Sequence, residues 1–126
     1  MIRRLAALAM LLTIPAALYA EVLSTSISAT GTSSTTTLSR VAKSVTVCNC
    51  STSICSAGAS ANAAYIRIFT DADTAAAATA SHIELAIGAC VSVDHFSGAQ
   101  ETGNGFYKIA ALAASSGTAT LKVTYE

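Results

Sequence analysis

Charge is scarce in this chain. Seven Lys and Arg and seven Asp and Glu make up 11% of 126 residues, and the formal net charge is zero. An electrostatic nucleic-acid interface needs a basic surface that displaces counterions, so that class of partner is excluded. The low charge also argues against charge-rich disorder. There is no Trp and a single Pro, and aromatic residues reach only 6%. Small residues fill the space instead: Ala, Ser and Thr number 27, 16 and 16. Ala buries little area, so the hydrophobic fraction of 52% overstates the core. A small set of Val, Ile, Leu, Phe and Tyr must supply it. The length allows one domain.

Residues 1–20 read MIRRLAALAMLLTIPAALYA. Arg3 and Arg4 form a cationic start, and Leu5 to Leu18 form an apolar stretch. A bilayer span needs about 20 apolar residues, and this stretch is shorter. Pro15 breaks the helix near its end, and Ala20 precedes the charged Glu21. The layout predicts an N-terminal signal helix, residues 1–20, cleaved after Ala20. The alternative is an uncleaved leader, the only route by which this chain meets a membrane. Cleavage leaves five basic residues and seven acidic ones, a formal charge of −2 for residues 21–126.

Residues 21–39 read as a Ser/Thr-rich arm or linker. Twelve of the sixteen residues from Ser24 to Ser39 are Ser or Thr. Within it Leu23, Thr25, Ile27 and Ala29 alternate onto one face of a strand. From Arg40 onward the pattern is β. Val41, Val45 and Val47 alternate with small polar residues, and Tyr65 to Thr70 is rich in β-branched and aromatic types. Ile83–Ile87 and Cys90–Phe96 read as a hairpin across Gly88-Ala89. Phe106–Leu112 and Thr118–Tyr125 complete about six strands. Residues 40–126 are therefore expected to form an all-β domain, a small antiparallel β-sandwich of the Ig-like or jelly-roll-like kind. Residues 74–81 (TAAAATAS) are too few for a stable isolated helix and read as a loop. Residues 97–105 form a second, polar loop.

Four cysteines remain after cleavage: Cys48, Cys50, Cys55 and Cys90. An even count in a small exported chain suggests two disulfides. A direct Cys48–Cys50 bond is disfavoured by strand geometry. Cys48–Cys90 with Cys50–Cys55 is the favoured pairing, and the exchanged assignment remains open. A metal site built from these thiols with His82 or His95 lacks the paired knuckles of zinc modules. No metal or other cofactor is expected.

Catalytic constellations are weak. Asp94 and His95 are strand neighbours that point to opposite faces, and Ser97 belongs to no nucleophile elbow. Asp71 and Asp73 suit a turn better than a calcium loop. Asn49-Cys50-Ser51 matches the N-glycosylation pattern with a cysteine at its centre. His82 and Glu84 suit a solvated face. No enzyme is predicted.

Two resemblances bear on function. The stretches RVAKSVTVCN, AAYIRIFTDAD, IELAIGACVSV and GFYKIAALAASSGTATLKVTYE resemble, in pattern, small β-sandwich proteins encoded by bacteriophages. That resemblance implies a virion or surface structural role. The leader, the alternation Leu121, Val123, Tyr125 at the C-terminus, and Cys50 and Cys90 about 40 residues apart are similar to chaperone–usher pilins. This second resemblance implies assembly by strand addition: the arm from Val22 to Ala29 is similar to a donor strand that fills a neighbour's groove, and Val22, Leu23, Ile27, Leu121, Val123 and Tyr125 are the candidate assembly-strand residues.

The expectation is a non-enzymatic secreted structural or adhesive protein, periplasmic, extracellular or on a virion surface. Its partners would be copies of itself or other surface or virion proteins. The alternative is a monomeric secreted module that binds a glycan or protein through loops 49–62 and 97–105.

Overall fold

Alternation of small polar and apolar residues recurs along nearly the whole chain from Leu23, and each alternating run becomes a strand. A computed structural model describes residues 21–50, 62–70, 77–95 and 103–126. Among the described residues there are eight strands and no helix. They are β1 (Leu23–Ala29), β2 (Ser34–Ala42), β3 (Ser44–Cys48), β4 (Ala64–Thr70), β5 (Ile83–Leu85), β6 (Cys90–Asp94), β7 (Phe106–Ala113) and β8 (Ala119–Tyr125). The predicted signal helix and the loop residues 51–61, 71–76 and 96–102 lie outside the described residues.

The strands form two four-stranded antiparallel sheets, ordered β1-β8-β3-β6 and β2-β7-β4-β5. The pairing follows a simple rule. β1 pairs β8, β2 pairs β7, β3 pairs β6, and β4 pairs β5. The chain is thus one long antiparallel ribbon whose ends meet at β1 and β8. The ribbon is rolled so that β8 also pairs β3 and β7 also pairs β4. Rolling turns the apolar side of every strand inward.

The all-β expectation holds, with two changes. The segment from 21 to 39 is not an arm: it supplies β1 and most of β2, an outer strand of each sheet. The sandwich therefore begins at Leu23 rather than Arg40 and has eight strands rather than six. The predicted alternation of Leu23, Thr25, Ile27 and Ala29 is real, because Ile27 and Ala29 are buried while Ser24, Ser26 and Ser28 face solvent. High Ser content at alternate positions reads as a linker in composition, yet in a strand it is simply the wet face. Second, Ile83–Ile87 and Cys90–Phe96 do not form a hairpin. β5 joins β4 and β6 joins β3, so the chain crosses from one sheet to the other through Ala86–Ala89.

The core matches the lean composition. Ile66, Ile109, Leu121, Val45, Val47 and Val123 are fully buried between the sheets, with Ala29, Ala42, Ala64 and Ala111 filling the gaps. Tyr125 closes one end. Its ring is buried in the sheet of β1, and its hydroxyl crosses to β2, 2.9 Å from Ser39 Oγ, and accepts from the Ser39 N–H at 3.3 Å. That N–H lies in the stretch between Thr37 and Ala42 where the β2–β7 register slips. The penultimate Tyr thus satisfies a main-chain donor next to the irregularity.

A second, smaller cluster sits on the outer face of the sheet of β7. Phe69 and Ala110 are fully buried there beneath Ala78, with Tyr107 and Leu112 beside them. The Ala78 N–H donates to Ser33 Oγ at 2.9 Å. Ala78 of the Ala-rich segment therefore covers this face. Arg67 and Lys108 lie over the Phe69 ring at 4.7 and 5.1 Å, where the ring's negative face favours a cation.

Candidate functional site

Two features of the fold stand apart from the closed core, and both lie on the β5/β6 side. The first is a stub. β5 pairs with only Ala64–Ile66 of β4, because the turn from Thr79 to His82 diverts the chain. That turn is held by the His82 N–H to the Thr79 carbonyl at 3.0 Å and by the Thr79 N–H to His82 Nδ1 at 2.9 Å. Beyond the stub an opening of about 550 Å³ leads between the sheets. Among the described residues its lining includes Ile66, Ile68, Ile83, Val93 and Phe106, with His82 at the rim. Ile83 is 43% exposed, a large apolar side chain left uncovered.

The second feature is the free edge of β6. Its register with β3 is unbroken from Ser44↔Asp94 to Cys48↔Cys90. The Asn49 N–H bonds the Ala89 carbonyl at one end of the ladder, and the His95 N–H bonds the Lys43 carbonyl at the other. Antiparallel ladders alternate hydrogen-bonded and non-bonded pairs. Val91 and Val93 therefore point their main-chain groups at β3, while those of Cys90, Ser92 and Asp94 point away from it. Their side chains sort the opposite way: Val91 and Val93 pack toward the core, and Cys90, Ser92 and Asp94 are exposed. Of the other edges, β5 is blunted by its length and β2 by its register shift and Arg40, while β1 is regular over seven residues but lies on the far side of the sheet from the opening. β6 carries no Pro, Lys or bulge.

The cysteines define the end of this edge. Cys48 and Cys90 are joined by a disulfide across the β3–β6 pair, the favoured pairing. Cys50 is also disulfide-bonded and fully buried, and Cys55, its expected partner, lies outside the described residues. Among the described residues no group of His, Cys, Asp and Glu could hold a metal ion.

Asn49, which sequence reasoning noted only as part of a glycosylation pattern, is a structural hub. It is fully buried, and its amide donates to the carbonyls of Asn62 at 2.9 Å and Leu85 at 3.0 Å. Its main-chain carbonyl accepts from Gly88. One side chain thus joins the ends of β3, β4 and β5 and the crossover to β6. In the folded chain it is closed to glycosylation. Asn49→Ala leaves the buried Leu85 carbonyl and the part-buried Asn62 carbonyl without this donor, and also removes a buried Oδ1 with no partner among the described residues, so it is expected to cost about 1–3 kcal/mol. A lower urea midpoint at unchanged slope is the expected result, and an unchanged midpoint would refute the hub.

The remaining predicted residues are placed apart. Asp94 lies on the outer face opposite Ser44, while His95 stacks edge-on against Phe106 at 5.5 Å. The two do not work together. Glu84 is exposed opposite Tyr65. Ser97, Asp71 and Asp73, and most of loops 49–62 and 97–105, lie outside the described residues. Ile27, Leu121, Val123 and Tyr125 are buried, and Leu23 packs against the same core. Within the chain β1 pairs with β8 along its whole length, and of these six residues only Val22 is exposed.

No family model matches the chain, and neither a curated protein nor a solved structure matches it.

Proposed function

We propose that this protein is a secreted, non-catalytic jelly-roll β-sandwich that works as a structural unit of an extracellular or virion assembly. The rolled ribbon, with strand order β1-β8-β3-β6 over β2-β7-β4-β5, supports the jelly-roll reading, an architecture used in capsid and lectin domains. The leader and the disulfides support an oxidising destination.

The observation that carries the assembly reading is the free β6 edge beside an apolar opening. An extended strand from a neighbouring copy fits both. It takes main-chain hydrogen bonds from Ser92 and its neighbours, and it places alternate side chains over Val93 and Ile83. Two β6 strands paired antiparallel about Ser92 set Val91 against Val93 and Cys90 against Asp94, with no like charges opposed.

The test is sedimentation velocity on oxidised residues 21–126 and on Ser92→Pro. Proline at 92 removes an N–H that points away from β3, a position that edge strands tolerate. The wild type is expected to self-associate and the variant to remain monomeric with the same circular dichroism. A wild type that stays monomeric at high concentration contradicts this reading. It would favour a monomeric module, for which the opening is the binding site.

A further inference from the structure

We infer that the Cys48–Cys90 disulfide is a redox latch on the β6 edge, opened by dithiol reductants while the rest of the sandwich stays folded. Three observations lead there. Cys90 is exposed on the outer face of its sheet and Cys48 is half-buried beside it, whereas the other bonded cysteine described, Cys50, is fully buried. Disulfide exchange requires access to a sulfur, and exposed bridges are the labile ones. The bridge also holds little besides β6. Among the described residues that strand has one sheet neighbour, β3, over five residue pairs, and its inward Val91 and Val93 are only half-buried. The rest of the sheet is tied by longer pairings, above all the seven-residue β1–β8 ladder.

The third observation concerns the leaving group. On the outer face, the residue directly opposite Cys48 on β8 is Lys122. Directly opposed residues on one sheet face hold their Cβ atoms about 5 Å apart. Among the described residues the other outward neighbours in this part of the sheet are Ser26, Thr46, Ser92 and Thr120, which carry no charge. Lys122 is therefore the cation that stabilises a thiolate at Cys48.

The chemistry follows. A reductant thiolate attacks Sγ of Cys90. The bond between the cysteine sulfurs breaks, a mixed disulfide forms at Cys90, and Cys48 leaves as the thiolate beside Lys122. The second thiol of the reductant then attacks the mixed disulfide and forms its own intramolecular bond. Cys90 is released as a thiolate that takes up a proton. Two electrons have passed from the dithiol to the cystine.

β6 is then held only by its ladder to β3 and the half-buried Val91 and Val93 and frays, which removes the edge proposed above as the assembly surface. That consequence rests on the assembly reading. The latch does not, and the two are measured separately.

The experiment treats oxidised residues 21–126 with dithiothreitol under native conditions. Thiols at Cys48 and Cys90 are followed by alkylation and mass spectrometry, and the backbone by amide hydrogen exchange. Opening is expected to be first order in dithiothreitol, with faster exchange at Val91 and Val93, whose amides bond β3, and retained protection in β1 and β8. Lys122→Met is expected to slow opening about threefold, from a less stable leaving thiolate, and Lys122→Arg to restore it. A rate that saturates with reductant and tracks global unfolding would overturn the latch. Unchanged β6 exchange after opening, or a Lys122→Met rate equal to wild type, would do the same. Self-association of the oxidised and reduced chains, compared by sedimentation, reports on the assembly consequence alone.

Discussion

Gly105→Ala is expected to lower stability by about 3–5 kcal/mol, among the largest effects of any single substitution in this chain. Gly105 adopts φ +152°, a backbone conformation that side chains rarely tolerate. It is also buried against the end of β2. A Cβ there meets the Ala42 carbonyl oxygen at 2.4 Å and the Val41 side chain at 2.8 Å. The first contact is main chain and cannot swing away. Ala42 pairs with Phe106, so relief would pull apart the start of β7. Phe106 also lines the opening beside β6, so the same change distorts the proposed site. Calorimetry is expected to show a melting temperature lower by about 15–30 °C. Gly31→Ala is the control, since no atom lies within 4 Å of its added Cβ. It is expected to stay within about 0.5 kcal/mol of wild type. Equal melting of both variants would contradict the packing described at Gly105.

Replacing Cys48 and Cys90 together by Ala is expected to cost about 4 kcal/mol. The bridge joins residues 42 apart in sequence, and closing a loop of that size removes about that much chain entropy from the unfolded state. The cost weighs heavily on a domain whose interior is filled by Ala at many points. The double variant is expected to keep β1–β8 pairing at low temperature, lose protection in β6 first and unfold at a lower urea midpoint. A midpoint equal to that of the oxidised wild type would show that the bridge does not stabilise the fold.

The strands with large residues at alternate positions were legible from the sequence. β8 alternates Leu121, Val123 and Tyr125 with Thr and Lys, and β4 shows instead by its density of β-branched and aromatic residues, Tyr65, Ile66, Ile68 and Phe69. Strand geometry argues against a Cys48–Cys50 bond and leaves two pairings open, and of these the structure has Cys48–Cys90. β2 was hidden because its inward positions include Ser34 and Thr36, and only Leu38 is a large buried residue. An edge strand on a lean core does not need a full apolar face, so its pattern fades into the surrounding Ser and Thr. β1 showed its alternation but not its partner. Its pairing joins residue 23 to residue 125, and no local signal encodes a contact across the whole chain. The same limit produced the false hairpin at Gly88-Ala89: two adjacent short runs pair locally unless more distant strands claim each of them, as β4 and β3 do here.

The candidate site was less legible still. An open strand edge is a property of what fails to pair, and sequence patterning reports only what can. The weak signal available was the brevity of the apolar run after Ser81, which becomes a three-residue stub. Asn49 stands in a glycosylation pattern whose central cysteine already disfavours its use, and nothing in that pattern signals a buried hub. Its burial depends on the ends of β3, β4 and β5 meeting at one point.

The central claim is that the outward main-chain groups of β6 accept a strand from a neighbouring copy. It is tested most directly by amide exchange at Ser92 in oxidised residues 21–126, measured over a range of protein concentrations. The N–H of Ser92 points away from β3, so a lone protomer leaves it to solvent. The account predicts that its protection rises with concentration in step with self-association, while the amides of Val91 and Val93 change little. Exchange at Ser92 that is fast at every concentration, in a sample that nonetheless associates, would place the interface elsewhere and contradict the account.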